Sequence, residues 1–241
     1  MLFAKPQARS DLCKDRYRDF RRRHRADVET NWRVNARELR VAHPAQEVHA
    51  PLQPQALDQG GEGGVLLDFV IAYDLTRDAT LEDGSPVYTE AMRRRIEDDL
   101  LLAGCADMEN YPDINNKCGP GRALSGAVGM LFGQPERVRR ALEGFEKLLD
   151  HSFHFDGFCR ESPSYSSMHL GLMEDIPDLL AGYSDPDGYT PVEGERLDAF
   201  DPFVYVPRYR LALESMVRML TPDTKYPVIG DTTAGGTTSP H

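Results

Sequence analysis

Beyond residue 64 the apolar positions recur mostly at helical spacing. Val65-Leu66-Leu67-Asp68-Phe69-Val70-Ile71-Ala72-Tyr73 is apolar nearly all round, which predicts a deeply buried helix. Pro86 opens a second segment, with Met92, Ile96, Leu100 and Ala103 on one face and Arg93, Arg94, Glu97 and Asp98 on the other. From Arg122 to Phe132 the residues are small and apolar. Gly133-Gln134-Pro135 then turns the chain into a return segment, Pro135 to Asp150, with Val138, Leu142, Phe145 and Leu149 on one face. This pair predicts an αα-hairpin. Ser162-Pro163 starts the next helix, which should bend near Pro177. A Pro- and Gly-rich connection, Asp185 to Pro202, leads to a last helix carrying Tyr209, Leu213, Met216, Val217 and Leu220.

Strand signals are scarce, so the expected class is all-α: antiparallel helix pairs with long loops, as in an α/α toroid or an irregular bundle. The small-residue helix suits the crowded inner ring of a toroid. Residues up to Arg40 read as a charged helix or arm. Val41 to Gly64, with Pro44, Pro51, Pro54, Gly60, Gly61, Gly63 and Gly64, read as a linker. The chain therefore divides into residues 1–63, arm and linker, and residues 64–241, the helical domain.

Charge sharpens that boundary. Of 28 Lys/Arg and 39 Asp/Glu, residues 1–40 hold 12 and 6, leaving 16 and 33 for the remainder, or +6 followed by −17. Acids interleave with the basic run Arg16 to Arg25 and no recognition motif accompanies it, so it reads as a solvated helix and no nucleic-acid partner is expected. No run approaches the roughly 20 apolar residues of a membrane span, and the first residues do not lead into a signal-peptide core. Either the chain is cytosolic or its true start is missing. Cys13, Cys105, Cys118 and Cys159 lack the short paired spacing of a zinc site and read as mostly free.

The candidate chemistry centres on the loop-to-helix stretch Asp156 to His169. Ser162 is a natural N-cap and Pro163 a natural first residue, so Tyr165 falls in the first turn and His169 lies on the same face. The partial positive charge of a helix N-terminus favours a phenolate, as a tyrosine base requires. The plainer alternative is that both rings line a buried face. Asn115-Asn116 after Pro112 is either a polar site or an Asx turn, Arg122 either a site cation or a helix-start residue, and Glu161 either an orienting carboxylate or an ion-pair partner. His151, His154 and Asp156 together raise a metal site as an alternative, but no metal and no cofactor are expected. Asp231 reads as ordering its loop.

The run Asn115-Asn116-Lys117 with Gly121-Arg122-Ala123-Leu124-Ser125-Gly126, then Asp156-Gly157 with Glu161-Ser162-Pro163-Ser164-Tyr165, then Pro227-Val228-Ile229-Gly230-Asp231, resembles the heparinase II/III-like polysaccharide lyases. The resemblance covers about Leu66 to the end. It implies an α/α toroid followed by β-sandwich layers, secreted or periplasmic full-length enzymes, and cleavage of an acidic, uronic-acid-containing polysaccharide by β-elimination. Tyr165, Asn116 and His169 would be catalytic: Asn116 (or Asn115) hydrogen-bonds the uronate carboxylate and Tyr165 transfers protons. Asn115, Lys117, Arg122 and Glu161 would bind or orient substrate. Family members commonly carry His after the motif asparagine, where this chain has Lys117. A uronyl C5-epimerase, a toroid hydrolase using Asp156 and Glu161, and an inactive sugar-binding remnant are the alternatives. Only the toroid part, incomplete, is expected here, so the chain is expected to be a shortened form with little activity alone.

Overall fold

The computed structural model describes residues 61–111 and 114–232. The arm, nearly all of the linker, Pro112 and the Gly235-Gly236-Thr237-Thr238 tail lie outside the described residues. The helices are α1 (Gly61–Thr76), α2 (Glu90–Arg94), a π-helical stretch (Arg95–Leu102), α3 (Ala103–Glu109), α4 (Cys118–Phe132), α5 (Pro135–Ser152), α6 (Pro163–Met173), α7 (Asp175–Leu180), α8 (Pro202–Tyr205) and α9 (Pro207–Arg218). Among the described residues there is no strand, only the isolated bridges Thr80 with Pro86 and Phe153 with Cys159, and the class is all-α. No described helix is long and apolar enough to cross a membrane.

The fold is built around α4, which packs against α1, α3, α5, α6 and α7. Every residue from Cys118 to Leu131 is buried. The small side chains allow that enclosure, because they let neighbouring backbones come close. A Cβ on Gly119 would lie 1.9 Å from the Leu172 carbonyl oxygen on α6, and one on Gly63 would lie 2.8 Å from the Gly121 amide nitrogen. These approaches explain why α4 begins at Cys118 rather than Arg122, and why the described part of α1 is helical through Gly61, Gly63 and Gly64. Tertiary contact overrides local propensity in both helices. Leu124 of α4 and Phe145, Leu148 and Leu149 of α5 are buried in the shared core, and truncating Leu124 to alanine there would cost about 2–5 kcal/mol.

The α4–α5 hairpin matches the sequence pattern, with Gly133 left-handed at the turn and Val138, Phe145 and Leu149 buried. The helix of residues 90–109 differs. Thr89, not Pro86, caps it, accepting the Met92 amide at 3.3 Å, while Pro86 closes a small loop. Leu101, Cys105 and Met108 are buried and Ile96 packs partly against the core, whereas Met92, Leu100 and Ala103 are exposed. The π-helical stretch supplies the reason: its wider turn shifts the helical phase, so a strict 3.6-residue period loses the inward stripe after Ile96.

Two buried ionic clusters brace the shell around α4. The Glu109 side chain, 5% exposed, meets Arg137 at 2.7 Å and Arg140 at 2.8 Å, and its other oxygen accepts the Ser125 hydroxyl at 2.5 Å. Cys105 sits in the same cluster, its thiol pushed up to about 12 by burial and by the Glu109 carboxylate, against the pull of Arg137. On the other side Asp185 pairs with Arg139 and accepts the Leu197 amide at 2.8 Å, which ties the 185–202 connection to α5. The chain bends at Glu174, so α7 starts just before Pro177.

Candidate functional site

Helix α6 starts as its sequence dictates. Ser162 is extended and its hydroxyl accepts the Tyr165 amide at 3.3 Å, with Pro163 in the first turn. A second amide of that turn, Ser164, donates to the Thr232 hydroxyl at 3.2 Å. The segment from Pro227 thus returns across the helix start. Gly230, at φ +58, seats so tightly there that a Cβ would lie 2.8 Å from the Glu161 carbonyl oxygen. Thr232 is buried, and Asp231 beside it is exposed.

Tyr165 and His169 share a face, their ring centroids 6.1 Å apart. They differ in access. Tyr165 is half-buried, whereas His169 is 1% exposed and held edge-on by Phe153. The His169 Nε2 lies 3.3 Å from a Glu161 carboxylate oxygen, and the Glu161 side chain is 48% exposed. A carboxylate accepts, so Nε2 carries the proton in the neutral ring and Nδ1, which has no protein partner, is the bare nitrogen. Burial holds the imidazole below its ordinary value, partly opposed by Glu161 and reinforced by His151. The ring is therefore neutral near pH 7. It stands behind Glu161, and Glu161 faces solvent.

The asparagine loop reaches the same helix. The Asn116 amide nitrogen is 4.0 Å from the Met168 sulfur, and Met168 is three residues, about 4.5 Å of axial rise, beyond Tyr165. Asn115 is used differently: its carboxamide oxygen accepts the Lys117 amide at 2.9 Å, an Asx turn that leads into α4. Asn116 and Lys117 are thus the members of the run with side chains left for other contacts. Lys117 is exposed.

Arg122 makes none of its observed contacts with α6. It is buried, its guanidinium donates to the Tyr111 carbonyl at 3.3 Å, and its stem packs on Gly144 of α5. With α4 beginning at Cys118, position 122 falls on the interior of the helix, away from its start. Asp156 closes a tight turn by accepting the Phe158 amide at 3.2 Å. Among the described residues no group of three His, Cys, Asp or Glu side chains is placed to hold a metal.

Three members of the group are not expected in these roles from the sequence. Thr232 is 68 residues from its partner, His151 reads there as an alternative metal ligand and acts on His169 only electrostatically, and Met168 reads as a helix-face residue. Of the three, Met168 alone could have been found from sequence, by its spacing from Tyr165. The assembled arrangement offers a half-buried phenol, a solvent-facing carboxylate backed by a neutral imidazole, and an amide with a cation beside it. Comparison with family models, curated proteins and solved structures finds no match to this chain.

Proposed function

We propose that the chain is part of a polysaccharide lyase that cleaves a uronic-acid-containing polysaccharide by β-elimination. One observation carries the reading: the Asn116 loop and the Pro227–Thr232 segment, distant in sequence, both meet α6 at Tyr165 and its neighbours. Elimination needs the uronate carboxylate neutralised so that the C5 proton becomes acidic, that proton removed, and the departing glycosidic oxygen protonated. Asn116 and Lys117 serve the carboxylate. Tyr165 takes the C5 proton, and the same phenol returns a proton to the leaving oxygen. Glu161 orients substrate, and His169, too buried to touch sugar, fixes Glu161. We read the helix pairs around α4 as part of an α/α toroid.

The hydrolase alternative draws less support, because an Asp156 oxygen is committed to its own turn. The epimerase shares the first proton abstraction and differs only in the absence of cleavage. The test is incubation of the chain with uronic polysaccharides, following absorbance near 232 nm from the unsaturated uronate and oxygen-18 uptake from labelled water. The reading expects absorbance without label. Label in the product would establish hydrolysis, and C5 inversion without new chain ends would establish epimerisation.

A further inference from the structure

A cation that neutralises a substrate anion must not already be neutralised by its own protein. All 16 lysines and arginines beyond residue 40 fall among the described residues, so each can be followed. Twelve of them stand in ion pairs with protein carboxylates. Arg122, Arg160 and Arg196 donate to backbone carbonyls. Among the described lysines and arginines Lys117 alone has a side chain with neither kind of partner, and it is exposed. It directly follows Asn116, whose amide lies against α6.

An anion approaching any of the paired groups meets its carboxylate as well, and acids outnumber bases 33 to 16 beyond residue 40. A densely charged polyanion would be repelled along most of this surface. A single carboxylate, delivered to Asn116 and Lys117 by a chain otherwise uncharged nearby, would not. We propose that the site selects a uronan of low anionic density, in which each uronate is spaced by neutral sugars, with Lys117 as the one cation among the described residues that meets its carboxylate. This rests on the reading of the site as uronate-binding and adds the charge spacing of the substrate.

The experiment measures binding of the full chain to three octasaccharides by calorimetry. In hyaluronan carboxylates alternate with neutral N-acetylhexosamine, in oligomannuronate every sugar carries one, and heparin adds sulfates. Hyaluronan should bind most tightly, and its affinity should fall by no more than about tenfold for a tenfold rise in salt, the upper limit for one ion pair. Lys117→Met should lose about tenfold in affinity together with the salt dependence, and Lys117→Arg should retain both, at unchanged melting temperature. Tightest binding of heparin, a steeper salt slope, indifference to Lys117→Met or no binding of any of the three would overturn the proposal. Elimination is scored separately at 232 nm. The predicted binding order without absorbance would remove the lyase reading and leave this one, whereas elimination that prefers heparin would do the reverse.

Discussion

The Thr232 hydroxyl accepts the amide of Ser164, so the end of the described chain caps the helix that carries Tyr165. Helix starts leave amides without intrahelical partners, and here a local residue, Ser162, and a distant one each satisfy one. Replacing a capping oxygen typically costs about 0.5–2 kcal/mol. Thr232→Val, which keeps the shape and deletes the hydroxyl, should lower stability by about that amount, and Thr232→Ser should recover most of it. Gly230→Ala should be worse than either, because its Cβ meets the Glu161 carbonyl at 2.8 Å in a left-handed backbone. Urea midpoints of the three variants give the ranking. Equal midpoints for Thr232→Val and wild type would show that the contact carries no energy.

His169 makes stability depend on pH in a defined direction. Burial holds the folded-state ring below its ordinary value of about 6.5, so on acidification the unfolded chain takes up the proton first. The cost is absent above about pH 7, grows as pH falls through about 6.5, and levels off once the folded ring also protonates. Glu161 opposes the shift and His151 adds to it. The urea midpoint should therefore fall more between pH 7.5 and 5.5 in wild type than in His169→Gln, since the difference isolates this ring from the other titrating groups. An imidazole proton resonance of His169 titrating above 6.5 would reverse the sign and defeat the argument.

The Glu109 cluster should behave as a structural unit. Its carboxylate is buried against two arginines and a hydroxyl, so removing it leaves the largely buried Arg137 charge with only the neutral Gln134 and Cys105 side chains, while the Ser125 hydroxyl keeps the Arg137 carbonyl. Glu109→Ala should cost about 3–5 kcal/mol, the scale for breaking one side of a buried pair. Arg140→Ala should cost about 1 kcal/mol or less, because that side chain is half exposed. Cys105, with its thiol pushed up to about 12, should resist alkylation at pH 8 until the protein unfolds, whereas half-buried Cys159 should react first among the three described cysteines. Alkylation followed by mass spectrometry under native conditions gives the order directly.

Local chemistry was legible wherever one segment decides it. Ser162-Pro163 starts α6, and Gly133-Gln134-Pro135 turns α4 into α5, because caps and turns depend on a few adjacent residues. The start of α4 was not legible, since Gly119-Pro120-Gly121 reads as a break until α6 is known to pass against Gly119. The inward stripe of residues 90–109 was missed beyond Ile96 because the π-helical stretch alters the phase. Within the candidate site, the shared face of Tyr165 and His169 followed from spacing. Which ring meets solvent did not, since access is set by Phe153 and Glu161 in three dimensions.

The two asparagines and the tyrosine separate fold from chemistry. Asn115 spends its carboxamide oxygen on the Lys117 amide, so Asn115→Ala should cost about 1 kcal/mol of stability through the lost turn. Asn116 makes only a weak contact with the Met168 sulfur, so Asn116→Ala should leave the melting temperature nearly unchanged. If Asn116 holds the uronate carboxylate, the same change should lower kcat/KM by about 10–10³, the effect of deleting one donor to a developing charge. Tyr165→Phe keeps a ring of the same shape in a half-buried position, so packing survives while the proton-transfer group is lost. Turnover should fall by about 10²–10⁴ with little change in stability. The comparison is made at 232 nm on uronan substrate with melting curves recorded on the same preparations. Loss of activity in Asn115→Ala in step with its stability, beside a selective loss in Asn116→Ala and Tyr165→Phe, would place the chemistry on the latter pair. Undiminished turnover in a folded Tyr165→Phe variant would reject the phenol as base, and the exposed Glu161 carboxylate would then be the group to replace next.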